Sequence, residues 1–177
     1  MGSGCNRRDD AFDCVRVHIY FSHDGIRKKK LDSLPKNIMT TANYEEYVSR
    51  YNLRRFVAAH HKAYTSALKE IQSGRKRSHW MWYIFPQLRE LGHSMNSDYY
   101  GIADRDEAIM FLHHPVLGSN LWEITMAMLA IDGKPANEIL GETDALKFRS
   151  SMTLFNSVCP DNIFSEAVHK YYGGEED

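Results

Sequence analysis

Gly74, Pro86, Pro115, Pro135 and Gly141 cut this chain into segments that each carry a helical pattern. Proline has no N–H and crowds the preceding turn, and glycine accepts left-handed backbone, so both end helices. Leu53, Phe56, Val57, His60, Tyr64, Ala67, Leu68 and Ile71 fall on one stripe of helical period. Gly74 follows as its C-cap. Ser78 is placed to cap a short helix through Phe85 that stops at Pro86. Asp104 and Glu107 have capping-box spacing ahead of a helix through Leu112. Pro115 suits the first position of a helix striped by Leu117, Leu121, Ile124, Met128 and Ile131. Pro135 begins a short helix ended by Gly141, and Thr143 caps another through Val158. Asp161 begins the last, stopped by Gly173-Gly174, and a further short helix starts at Thr41 or Asn43 and runs through Val48. The pattern predicts an all-α fold, a single compact helical domain of about seven helices joined by short loops, with no internal repeat.

Residues 1–40 read differently. Val15, Val17, Ile19 and Phe21 alternate with polar or amphipathic neighbours, the period-two pattern of a short strand. His23-Asp24-Gly25 supplies turn chemistry, and Arg27 to Lys30 form a basic run that stays in water. One strand cannot complete its own hydrogen bonds. The expected organisation is therefore a β or irregular N-terminal appendage over 1–40 and a helical domain over 41–177.

With 177 residues, 43% of them hydrophobic and 25% charged, the chain can bury a real core without metal or disulfides. A net charge of −1 gives no global field to recruit nucleic acid, which is disfavoured as a partner. Cys5, Cys14 and Cys159 are odd in number and lack CxxC spacing, the pattern of free thiols in a reducing compartment. The first residues lack a secretory apolar region, and Asn6 stands where a myristoylation signal wants Ser or Thr. No apolar run approaches the roughly 20 residues of a membrane helix. The expectation is a cytoplasmic protein with no membrane partner; oligomeric state is not legible.

Two runs carry the chemistry. In Arg75-Lys76-Arg77-Ser78-His79-Trp80-Met81-Trp82-Tyr83-Ile84-Phe85-Pro86-Gln87, three cations lead into a histidine and four large aromatics. The rings are costly to expose, while Arg77, His79 and Gln87 need polar partners. In the second run, Ala145, Phe148, Met152 and Phe155 form an apolar helix face, and Arg149, Ser150, Thr153 and Ser157 gather on another. A forked arginine beside two hydroxyls one turn apart suits phosphate or carboxylate. The carboxylates that follow the first run are Glu90 and Asp98, and Asp144 precedes the second.

Other chemistries lack their residues. His60-His61 and His113-His114 are adjacent pairs, which point about 100° apart on a helix and do not chelate together, so no metal site or cofactor is expected. There is no nucleophile elbow, no phosphate-cradling glycine loop and no paired acid and base, which leaves open whether any reaction is catalysed. His79 is the one candidate acid or base. His60 reads as a core histidine and His114 as a cap for the helix that follows it.

At these runs the chain resembles a family of bacterial and fungal proteins called domain of unknown function 1810. The matching strings are LRRFV at 53–57, GRKRSHWMWYIFPQ at 74–87, YGIA at 100–103, HPVLG at 114–118, LKFRSSMTLF at 146–155 and YYGG at 171–174. The resemblance covers roughly residues 52–174 and implies a compact, mainly helical domain; it carries no established activity. Some members are labelled calpastatin-like, but calpastatin inhibits through disordered repeats and this chain has none. Members tend to have glutamine where this chain has His60.

The leading expectation is a pocket protein that binds, and could process, a small anionic, nucleotide-like or phosphorylated ligand. Trp80 or Trp82 would stack on a planar group, and Arg77, His79, Gln87, Lys147, Arg149, Ser150 and Thr153 would hold the rest. If the rings of the first run pack on the Phe148 face, His79 and Arg149 should meet at one cavity. The alternative is an interaction module that docks a protein or single-stranded RNA through a basic-aromatic surface.

Overall fold

The computed structural model describes residues 50–92, 94–160 and 162–177. The strand expected over Val15–Phe21, the basic run after it and the helix expected to end at Val48 lie outside these residues. The elements are α1 (Arg54–Gln72), α2 (Met81–Ile84), a 3-10 turn (Arg89–Leu91), α3 (Met95–Tyr100), α4 (Arg105–His113), α5 (Leu117–Leu129), α6 (Ala136–Leu140), α7 (Glu142–Val158) and α8 (Ile163–Tyr172). The fold is all-α, as the periodicity predicts. Among the described residues there are eight α-helices, and an isolated parallel bridge joins Leu88 to Ile102.

The helices assemble around a file of rings. Phe56 of α1 meets the edge of Phe111 of α4 at 5.0 Å, and Phe111 lies 5.5 Å from Phe155 of α7. Phe155 lies 5.7 Å from Phe164 of α8, which Trp122 of α5 meets at 5.8 Å. Each such pair adds about 0.5–1.5 kcal/mol beyond area burial. α7 thus packs against α4, α6 and α8, and α5 against α1, α4 and α8. A second branch runs from Trp80 to Phe85 (6.2 Å) and from Phe85 to Phe148 (4.8 Å, edge-on). Here the first run packs on the apolar face of the second, as expected.

A buried ion pair locks the start of α1 to the start of α4. Arg55 donates to Glu107 at 2.6 Å and to the carbonyls of Tyr51, Asn52 and Gly101. The other Glu107 oxygen accepts from the Ala103 amide at 2.7 Å, and Asp104 accepts from the Glu107 amide at 2.9 Å. The capping box is present, with its glutamate reaching one residue further back than in the usual form. Gly118 belongs to a close crossing: a Cβ there would sit 1.8 Å from the Leu112 carbonyl oxygen. That contact accounts for the glycine of the HPVLG string.

Several helix starts depart from expectation. Ser78 does not cap α2; Trp80 occupies that position without a side-chain cap, because the Ser78 hydroxyl donates to Glu70 instead. α5 begins at Leu117, after Pro115, because the His114 ring accepts from the amides of Val116 and Leu117. α7 begins at Glu142 behind Gly141 (φ +86°), so Thr143 is no cap. α8 begins at Ile163, and Asn162 caps it by accepting from the Phe164 amide at 2.8 Å. α3 is unanticipated, and it opens on reciprocal hydrogen bonds between Ser94 and Ser97. Cys159, buried at the end of α7, is not a free thiol, which corrects that expectation for this residue.

His60 is a core histidine. Its Nε2–H donates to the Tyr83 carbonyl at 2.7 Å, so Nδ1 is left to accept from the Asn120 amide at 3.0 Å. The ring stacks on Tyr64 (5.9 Å, 3°). Burial pushes its pKa down, against the hydrogen bond to Tyr83 and with the charge of His114, to about 4. A base depressed in the folded state contributes stability that is complete above its unfolded pKa of about 6.5 and is lost as pH falls toward the folded value. Stability should therefore drop between about pH 6.5 and pH 4. His60→Gln should flatten part of that slope in urea melts at several pH values, leaving the share of His113 and His114, which burial also lowers. An unchanged slope would contradict the neutral, buried assignment.

Candidate functional site

The site begins with a carboxylate at the end of α1. Gly74 takes φ +72°, and the Arg75 amide donates back to the Glu70 carbonyl at 3.1 Å. The turn swings the following residues over the Glu70 side chain. That carboxylate accepts from the amides of Arg77 (2.7 Å) and Ser78 (3.0 Å), from Ser78 Oγ (2.6 Å) and from Trp80 Nε1 (2.8 Å). Partial burial raises its pKa, but the four hydrogen bonds outweigh this and hold it at about 2. Glu70, rather than Glu90 or Asp98, is the carboxylate that holds Arg77, Ser78 and Trp80 of the first run.

The loop delivers Trp80 to the core, 1% exposed, and α2 follows directly. Met81, Ile84 and Phe85 are buried, while Trp82 and Gln87 are half-buried on an open cleft of about 530 Å³. Leu91, Gly92, Ser94 and Ser97, from the 3-10 turn and the start of α3, form the adjoining side of this cleft. The facing wall is α7, which contributes Thr143, Leu146, Lys147 and Ser150. Asp177 also lines it.

The α7 wall is charged in a defined way. Lys147 lies 2.8 Å from Asp144 and 4.8 Å from the centre of the Trp82 ring. Lys76 reaches the same Asp144 carboxylate at 2.7 Å while lying 5.2 Å from the Trp80 ring. Burial raises the Asp144 pKa, but hydrogen bonds to Lys147 and Lys76, with their charges, hold it below the usual range. Two ammoniums thus share the one Asp144 carboxylate.

The expected site residues separate into groups. Trp82, Gln87, Lys147 and Ser150 line the cleft together. Arg149 and Thr153 lie on the neighbouring strip of α7 and hold the segment 175–177: Arg149 donates to the Glu176 carbonyl at 2.8 Å, and Thr153 Oγ1 accepts from the Asp177 amide at 3.0 Å. Trp80 is core. Arg77 and His79 are exposed and are not among the lining residues; the His79 carbonyl accepts from the Tyr83 hydroxyl at 3.2 Å. His79 and Arg149 are thus not brought to the cleft as a pair. The sequence reasoning missed Glu70, the Ser94–Ser97 pair and Asp177, of which only the serine spacing carries a local signal.

A family model described as a protein of unknown function (DUF1810) matches residues 50–177. The crystal structure of a conserved hypothetical protein, Rv1873 from Mycobacterium tuberculosis, is similar with a TM-score of 0.71 and 45% identity, covering 72% of this chain and 92% of that one. No curated protein matches significantly. Among the described residues no helix is long and apolar enough to cross a membrane.

Glu70→Ala should leave the loop's donors without their acceptor, at about 1–3 kcal/mol for each one that water does not reach. Glu70→Gln keeps an acceptor oxygen and should recover part of the loss. Urea midpoints and exchange of the Trp80 indole proton measure both effects. A Glu70→Ala protein within about 0.5 kcal/mol of the parent would contradict the organising role.

Proposed function

We propose that this chain, which belongs to the family of proteins of unknown function DUF1810, binds a small anionic ligand, nucleotide-like or phosphorylated, in the cleft between α2 and α7. The carrying observation is the grouping of Trp82, Lys147 and Ser150 on one cleft, with an ammonium already over the indole ring and a carboxylate, that of Asp177, already on the serine hydroxyl. A planar group would lie against the exposed part of Trp82, and the anion would sit at Lys147 and Ser150. Gln87 and Thr143 are at hand for its remaining polar atoms.

Chemistry supports binding over turnover. Asp177 and Lys147 are the charged groups of the lining, and Lys147 is paired with Asp144. His79, the candidate acid or base, is exposed elsewhere. An interaction module that docks protein or RNA is the weaker reading. Trp80 is buried and Trp82 lines the cleft, so neither tryptophan stands beside the exposed Arg75, Arg77 and His79 as a stacking platform.

A thermal-shift panel of nucleotides and phosphorylated metabolites tests the proposal. A ligand at a hundred times its dissociation constant adds about 2.7 kcal/mol of stability. The stabilising member should lose its effect on Lys147→Ala and be weakened by Trp82→Ala. Silence across the panel, or a shift that both variants keep, would contradict the assignment.

A further inference from the structure

The segment Glu175-Glu176-Asp177 lies along the strip of α7 beside the cleft and reaches into the cleft at Ser150, one of the two groups at which the anion is proposed to sit. Tyr172 donates its hydroxyl to the Ala145 carbonyl at 2.6 Å, and Tyr171 donates to the Met128 carbonyl, so the end of α8 is fixed. Gly173 (φ +64°) and Gly174 (φ +88°) then turn the backbone through conformations that other residues rarely adopt. The turn lays the acidic residues along α7. Arg149 donates to the Glu176 carbonyl, the Asp177 amide donates to Thr153, Asn156 donates to the Glu176 carboxylate at 2.7 Å, and Ser150 donates to the Asp177 carboxylate.

We infer that this acidic segment is an internal competitor for the cleft: it docks its carboxylates on Ser150 and Asn156 and must withdraw, swinging at Gly173-Gly174, before an external anion takes the Ser150 hydroxyl.

Three observations support this. Asp177 itself lines the cleft and occupies the hydroxyl of Ser150. The fit is incomplete, because the Arg149 Nε donor is buried beside the segment without an acceptor. A buried donor left this way is destabilising, so an anion that reached it would displace an occupant that does not. Finally, the segment's contacts are polar and exposed, of the kind that open locally at low cost, whereas Tyr171 and Tyr172 on the near side of the glycine pair are anchored.

The inference rests on the cleft being an anion site, and the experiment separates the two. The full chain and a Glu176→Gln/Asp177→Asn variant are titrated calorimetrically with adenosine diphosphate and with inorganic pyrophosphate. Backbone relaxation of residues 175–177 is followed in the unsubstituted chain during the same titrations. A competitor docked most of the time lowers apparent affinity by the fraction of open chain, so the variant should bind about tenfold more tightly. The amides of Glu176 and Asp177, rigid at the outset, should become mobile at saturation. Asn156→Ala, which lies off the cleft lining, should shift affinity in the same direction and covers the case of a misfolded double variant. Equal affinities, or a segment that stays rigid at saturation, would overturn the competition while leaving the anion site standing. Absence of binding to every chain would remove the anion site and the competition with it.

Discussion

The Glu70 carboxylate is the contact on which the cleft depends. It stands in the last turn of α1 and gathers four donors from residues 77–80 that would otherwise follow their cations into water. A carboxylate holding several N–H and O–H groups is among the stronger polar arrangements a protein surface offers. Because it fixes Trp80, it fixes where α2 begins. Four residues of helix then suffice to send Trp82 toward the cleft and Phe85 toward Phe148. The α7 wall is brought opposite by that ring contact, so the cleft is a consequence of a polar capture followed by an apolar one.

Charge follows from the same packing. Bringing α2 onto α7 places Lys76 and Lys147 on either side of Asp144, each ammonium also facing an indole. One carboxylate cannot neutralise both, and Arg149 and Ser150 lie further along the same helix. The acidic residues 175–177 settle on that strip. Beside them the Arg149 Nε donor stays buried without an acceptor.

The helical architecture is legible in the sequence because it rests on short-range signals. The Leu53–Ile71 stripe, the left-handed turns at Gly74 and Gly173 and the Asp104 cap each need only a few neighbouring residues. The contact of the first run with the Phe148 face is legible for a different reason: large rings must be buried, and few faces are large enough. What fails is the placement of polar heads. Glu70 lies on the side of α1 away from its apolar stripe, where a carboxylate looks solvated, and only the turn at Gly74 brings donors to it. His79 sits beside Trp80 in sequence, yet the backbone that buries the indole turns the imidazole outward. The 175–177 segment reads as a polar stretch after a helix stop, since its partners on α7 are twenty or more residues away.

Shift mapping of the full chain with adenosine diphosphate locates the residues that an anion touches. Amide and side-chain resonances, the indole N–H of Trp82 included, are followed through the titration. The account predicts that the changes gather on Trp82, Gln87, Lys147 and Ser150, the residues that share the cleft. Changes confined to Arg75, Arg77 and His79, with Trp82 and Ser150 unmoved, would contradict it.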